Sequence, residues 1–255
     1  LGWHYIFGTL TLMAVIIILA VHFGLPESKE ADPGYSLKPR SILINFWTVL
    51  QEPQFFTYAF TGAVAAAGLY AYVAGSPVVF LEIYKVSEKQ FGLIFALVAG
   101  GLILATQVNS FLLRQYRSEQ IIPVALFIQS LAGICLFIGS LTGWIDVLGT
   151  ILLLLVYLSC QGFTFPNSSA LSMAPFAKNA GSASALMGGV QMGLGALTSA
   201  MVSVLSNGTA LPMTGVMACC AVSSFIILKV GNRFIKYKAS KKEVAEEAVE
   251  MICNS

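Results

Sequence analysis

Long apolar runs separated by short polar gaps set the pattern of this chain. Seven runs, at roughly 4–23, 54–77, 90–112, 121–141, 147–172, 182–205 and 212–231, are of about spanning length and nearly free of charge. A helix needs about 20 apolar residues to cross roughly 30 Å of hydrocarbon. In lipid it must also satisfy its own backbone polar groups, which a helix does within the segment. The pattern therefore predicts an all-α, polytopic membrane bundle.

The gaps are unequal, and that suggests an organisation. Residues 24–53 form the longest polar stretch, interrupted by Pro26, Pro33, Gly34 and Pro39. Inside it, SILINFWTVL (41–50) is apolar but too short to span, so it reads as an interfacial helix or a tether. The later six runs are joined by short loops, which makes consecutive helices antiparallel neighbours. The expected division is a lone helix over 1–23, a central loop over 24–53, a six-helix bundle over 54–231 and a tail over 232–255. One span, a long loop and six tightly joined spans is what results from cutting a two-halved transporter just before the last helix of its first half. The opening Leu-Gly-Trp, with no initiator Met, fits a fragment.

Charge adds an orientation. Of the 14 Lys and Arg residues, all but Lys85 and Lys89 lie on one side of the alternating topology, in its gaps or, for Lys229, at a span end. By the positive-inside rule that side is cytoplasmic, so the C-terminus lies inside. Topology alone accounts for the basic residues, and no nucleic-acid partner is implied. With 57% hydrophobic and 10% charged residues, the chain is far from the roughly one-quarter charge of soluble domains. The five cysteines suggest no disulfide framework, and no metal-ligand cluster, phosphate-binding glycine loop or nucleophile constellation is present. The chain is accordingly read as a non-enzyme without cofactor or metal.

Within the spans, two kinds of residue stand out. Small residues recur every fourth position in the second span (Ala59, Ala63, Ala67, Ala71, Gly75) and in the sixth (Gly181, Ala185, Gly189, Gly193, beside Ser184 and Gly188). That spacing lets helix backbones approach closely, whether for static packing or for helices that rock. Polar side chains are the other kind, since a polar group in hydrocarbon needs a partner or a water-filled cavity. Gln107, Asn109, Gln129, Gln161, Asn167 and Gln191 qualify; Tyr70, Tyr157, Gln161 and Gln191 are the candidate cavity-lining residues. Pro77, after Ser76, falls where it can end its span, whereas Pro166 frees the Gly162 carbonyl and predicts a kink, with Asn167 placed to offer a replacement donor. No Asp, Glu, Lys or Arg lies deep in a span, so any proton-coupling acid belongs outside this segment.

Several segments together resemble the bicyclomycin-resistance-like (Bcr/CflA-type) drug:proton antiporters of the major facilitator superfamily. These are Ser76-Pro77 followed by YKVSEKQFGLIFALVAGG (84–101), NSFLLRQYRSEQ (109–120), GFTFPNSSALSMAPF (162–176) and AGSASALMGGVQ (180–191). GWHYIF (2–7) and LPES (25–28) resemble that family's sixth span and its exit. The resemblance covers nearly the whole chain. It implies spans six to twelve of a twelve-span fold, exporting varied small molecules in exchange for protons across a bacterial inner membrane, with the first half of the polypeptide and its coupling acid as the missing partner. The loop holding Arg114 and Arg117 lacks the Asp that many facilitators carry there. Two readings from other classes fit the same topology. One is a seven-helix receptor or photoreceptor, disfavoured because Lys229 lies at the end of the last span and no buried lysine is available for a retinal; the other is a non-transporting membrane subunit.

Overall fold

The computed structural model describes residues 3–24, 39–176 and 180–253, with side chains placed up to Tyr237. All the regular structure among the described residues is helical: α1 (Trp3–Gly24), α2 (Pro39–Leu50), α3 (Pro53–Pro77), α4 (Glu88–Leu112), α5 (Ser118–Thr142), α6 (Val147–Met173), α7 (Ala180–Val204) and α8 (Leu211–Cys253). Seven helices are long and apolar enough to cross a membrane, in the order the hydrophobic runs predict. The LPES segment and the rest of 25–38 lie outside the described residues.

Two compact units divide the chain, Leu1–Ser41 and Ile42–Ser255. The first contains α1, a single apolar helix of spanning length. The second contains the bundle α3–α8. Local chemistry sets its helix ends. Pro53 opens α3, where a missing N–H costs nothing. Ser87 and Gln90 form a reciprocal capping box on α4. Asp146 accepts a hydrogen bond from the Gly149 N–H at 2.8 Å to start α6. Gly143, at φ +68°, ends α5 in the left-handed conformation that suits glycine.

Two expected ends moved. Pro77 does not terminate its span: the helix widens into a π-helical segment, Val78–Ile83, that carries the span to Ile83. Widening the hydrogen-bond spacing is one way to absorb the proline's missing donor and its ring. At the other end of the bundle, α8 runs without a break through the last span into the charged tail. The short helix 41–50 is more than a simple tether. Arg40, Leu43, Ile44, Trp47 and Thr48 are exposed, but Val49 is fully buried with Phe55, Ala59 and Ala183.

The helix pairs that pack form a symmetric scheme. α3 packs on α6, α7 and α8; α6 packs on α3, α4 and α5; α5 packs on α8. Exchanging α3 with α6, α4 with α7 and α5 with α8 maps this scheme onto itself. Because α3 and α6 are three spans apart they run in opposite directions, so the bundle is a pair of three-helix inverted repeats. About half of each of α3, α5, α6 and α8 is buried, against 11% of α4 and 17% of α7. Tyr72, Phe80, Leu136, Leu154, Tyr157, Met213 and Met217 fill the main core.

Candidate functional site

The groove where α3, α6 and α7 meet is built from small residues. The alanine row of α3 is buried throughout, from Ala59 at 3% exposure to Ala71 at 0%. Absent side chains bring neighbours close: a Cβ on Gly62 would strike Ser168 of α6, and one on Gly195 of α7 would come within 2.7 Å of the Tyr70 ring. The α3–α7 seam is then pinned by hydroxyls. Thr198 donates to the Ala67 carbonyl at 3.1 Å and Ser199 to the Tyr70 carbonyl at 3.4 Å. Tyr70 sends its own hydroxyl toward the Met192 sulfur at 3.6 Å.

Toward the basic end of the bundle the groove is lined by Tyr58, Ala59, Gly62 and Ala63 of α3, Phe165, Ser168 and Ser169 of α6, and Met187 and Gln191 of α7. Its enclosed volume is only about 10 Å³, room for about one water. Below it, Val49, Phe55, Ala59 and Ala183 close the basic end, with Phe55 and Phe176 in edge-to-face contact at 5.5 Å. Every residue lining this groove is uncharged, so the groove discriminates by shape, dispersion and a few hydroxyl and amide groups.

The four candidate lining residues separate into two pairs. Tyr70 and Gln191 lie on the α3–α7 seam. Tyr157 and Gln161 instead face the interior between α5, α6 and α8. Tyr157 is fully buried and donates to the Met217 carbonyl at 2.8 Å. Gln161 accepts from Gln129 at 3.5 Å, and the other amide atom of each glutamine has no protein partner. Apolar periodicity could not distinguish these faces. Tyr58, Phe165, Ser168, Ser169 and Met187 were not singled out as lining residues; the i, i+3, i+4 spacing of 165, 168 and 169 is the signal that points to one face of α6.

The conformational candidates also divide. Pro166 lies inside a continuous α6, and Asn167 does supply an extra donor, at 2.7 Å, to the carbonyl of Phe163 rather than Gly162. The same Asn167 amide donates to Asn109 of α4 at 2.7 Å, and its oxygen accepts from Ser118 of α5 at 2.8 Å. Three helices are thereby tied at one buried asparagine. Ser76 is buried with its hydroxyl unpartnered, and Pro77 is exposed. Gly181, Ala185, Gly189 and Gly193 are exposed and Gly188 is partly so; a Cβ on any of these four glycines would meet nothing within 4 Å. Among the described residues, the row expected at a close helix contact finds no neighbour within 4 Å of these glycine positions. Arg114 and Arg117 are exposed in the α4–α5 turn, where Arg114 lies over the Phe111 ring.

Residues 1–200 match the family profile described as Major Facilitator Superfamily. The chain belongs to the major facilitator superfamily. Among curated relatives, it is 27% identical over 227 residues to the bicyclomycin resistance protein homolog of Haemophilus influenzae, covering 88% of this chain and 56% of the relative. It is 26% identical to the uncharacterized MFS-type transporter YdgK of Bacillus subtilis, covering 86% and 54%. It is 25% identical to the multidrug resistance protein MdtL of Escherichia coli O139:H28, covering 89% and 56%. The chain thus spans about half the length of the curated relatives it matches. Membership of this facilitator superfamily makes it a multi-pass membrane protein of a transporter family with drug-resistance relatives, and the inverted repeat of α3–α5 and α6–α8 is the architecture that such transporters use.

Proposed function

We propose that this chain is the C-terminal portion, spans six to twelve, of a proton-coupled exporter of drugs or other small molecules in a bacterial inner membrane. The C-terminus faces the cytoplasm in this reading, because the basic loops lie on that side. The two halves rock about a shared central cavity, and this half contributes the α3–α6–α7 surface. Tyr70 and Gln191, with Phe165 and Ser169 beside them, are the residues proposed to meet substrate, while Tyr157 and Gln161 hold the α5–α6–α8 scaffold behind it. Loose recognition by apolar and aromatic surface suits a site that accepts varied ligands. The described spans carry no acid at depth, so the coupling carboxylate is assigned to the first half, and the proton gradient supplies the energy.

The observation that carries this reading is the exposed face of α7. An exposed span face that meets lipid is bulky, as on α5, where Val124, Phe127, Ile128, Leu131 and Ile138 point outward. The first half of the α7 face instead presents Gly181, Ser184, Ala185, Gly189 and Gly193, the chemistry of a close helix–helix contact in lipid, before large side chains return at Met192, Leu197 and Met201. The missing half supplies the partner.

The reading is tested in proteoliposomes holding the complete polypeptide, with a fluorescent cationic drug and an imposed proton gradient. Gradient-dependent export that falls at least tenfold in Gln191→Ala supports it; gradient-independent movement, or none, defeats it. An antibody against the charged tail should also detect, in native membranes, a product about twice the 27.2 kDa of this chain, as a two-half transporter requires.

A further inference from the structure

α4 and α5 are consecutive in sequence and joined by a short turn, yet both lean on α6 rather than on each other. Their divergence leaves a cavity of about 340 Å³. Leu112 forms one wall, Val124 and Ile128 the other, and Cys160 and Phe163 of α6 the floor. The only polar residues at its rim, Tyr116 and Gln120, are both at the end nearest the α4–α5 turn. The pseudo-symmetric position, near the junction of α3, α7 and α8, holds a cavity of only about 110 Å³ lined partly by Ser203, Ser206 and Thr209. An open apolar groove is therefore not a requirement of the repeat.

Depth and charge identify the occupant. The α5 wall runs from Gln120 to Ile128, nine residues whose Cα atoms rise about 12 Å along the helix. That is close to one leaflet of a hydrocarbon core roughly 30 Å thick, and too short to seat a helix that crosses it. Arg114 and Arg117 do not line the cavity but flank Tyr116 in the turn beside its polar mouth; both are exposed, and among the described residues neither is drawn into an ion pair. The nearby acid, Glu119, instead lines a separate cavity on the other side of α5 with Gln54, Tyr58, Asn232 and Lys236. The turn beside the mouth is thus cationic and the cavity itself apolar.

We propose that this groove binds one anionic phospholipid of the leaflet on the arginine side, with an acyl chain between α4 and α5 and the phosphate at Arg114 and Arg117. That leaflet is the cytoplasmic one in the orientation proposed above, but the site does not depend on transport. A bound chain fills the space the diverging helices leave, and the head group bridges the turn that joins them.

Native mass spectrometry of the full chain, equilibrated with phosphatidylglycerol or with phosphatidylcholine, tests it. One phosphatidylglycerol per chain should persist, favoured over phosphatidylcholine by roughly thirtyfold for two basic residues near the surface. In R114Q/R117Q the preference should vanish while a lipid of either kind is still retained weakly. Val124→Trp, at a position 59% exposed and so harmless to folding, should fill the groove and remove both lipids. Leu141→Trp, equally exposed near the far end of α5, should leave retention as in the parent. Equal retention of the two lipids by the parent, persistence of the lipid in Val124→Trp, or its loss in Leu141→Trp would each overturn the site. So would a dimer that Val124→Trp abolishes, since a second copy would then be the occupant.

Discussion

The small-residue rows of α3 and α7 have the same spacing and opposite surroundings. Ala59, Ala63, Ala67, Ala71 and Gly75 are buried against α6, α7 and α8. Gly181, Ala185, Gly189 and Gly193 face outward, although the opposite side of α7, through Ala183, Gly195, Thr198 and Val202, packs within the bundle. Small residues at every fourth position thus mark a surface able to approach another helix closely. They do not say whether that helix belongs to the same six-helix unit. The bulk of the exposed positions adds what spacing omits, because the exposed face of α5 is lined by large side chains, whereas the outward row of α7 stays small from Gly181 to Gly193 and turns large only at Leu197 and Met201.

The comparison breaks most readily at Gly75. A Cβ there would sit 2.7 Å from the Met213 Cβ, an atom fixed to the α8 backbone. Gly75→Leu should destabilise the chain by about 3 kcal/mol or prevent assembly, read as the detergent-solubilised melting transition. A variant that melts like the parent would mean that the α3 row is not a tight contact.

Asn167→Ala comes next. It leaves the buried Asn109 without its donor and Ser118 without its acceptor, which should cost roughly 1–3 kcal/mol and loosen α4, the least buried span of the bundle. Faster hydrogen exchange confined to the basic end of α4 would locate the effect; a uniform change along the bundle would argue against a local tie.

Gln129 and Gln161 sharpen the contrast between interior and seam. Either single Leu substitution strands one more buried amide and should cost about 1–2 kcal/mol, whereas the double substitution should return most of it. If the double variant loses the sum of the two singles, the pair is not isolated from the rest of the polar network.

The smallest effect on stability is expected at Gly189→Leu, within about 0.5 kcal/mol of the parent, as at other exposed positions. In the complete polypeptide the same change should abolish export while leaving insertion intact. If it destabilises this chain as much as Gly75→Leu does, the two rows are not different after all. If export is normal, α7 does not meet the other half through this row.

Much of the fold was readable before any coordinates. Seven spans and a six-helix unit follow from hydrocarbon thickness and from the cost of an unpaired backbone group in lipid, which leave helices as the solution for long apolar runs. The starts of α4 and α6 are local matters of Ser87, Gln90 and Asp146, although the hydrophobic pattern alone did not point to them. Span ends were less legible where a proline can be absorbed: Pro77 looks like a stop, and the widened turn at Val78–Ile83 shows it is not. The site was only half legible. Polarity in a span flagged Gln161 and Gln191 equally, yet one is spent on Gln129 inside the bundle and the other lines the α3–α7 groove.

Sequence alone determined the number of spans, the basic asymmetry of the loops and the facilitator resemblance, since each depends on composition over a stretch or on a run of neighbouring residues. Only tertiary structure decided which face of each helix is inside. In lipid, apolar side chains cover protein-facing and lipid-facing surfaces alike, so amphipathic periodicity, the usual guide in water, carries little information. What separates Tyr157 from Tyr70, and the row of α3 from that of α7, is how the helices lean on one another, and that is set by contacts between residues distant in the chain.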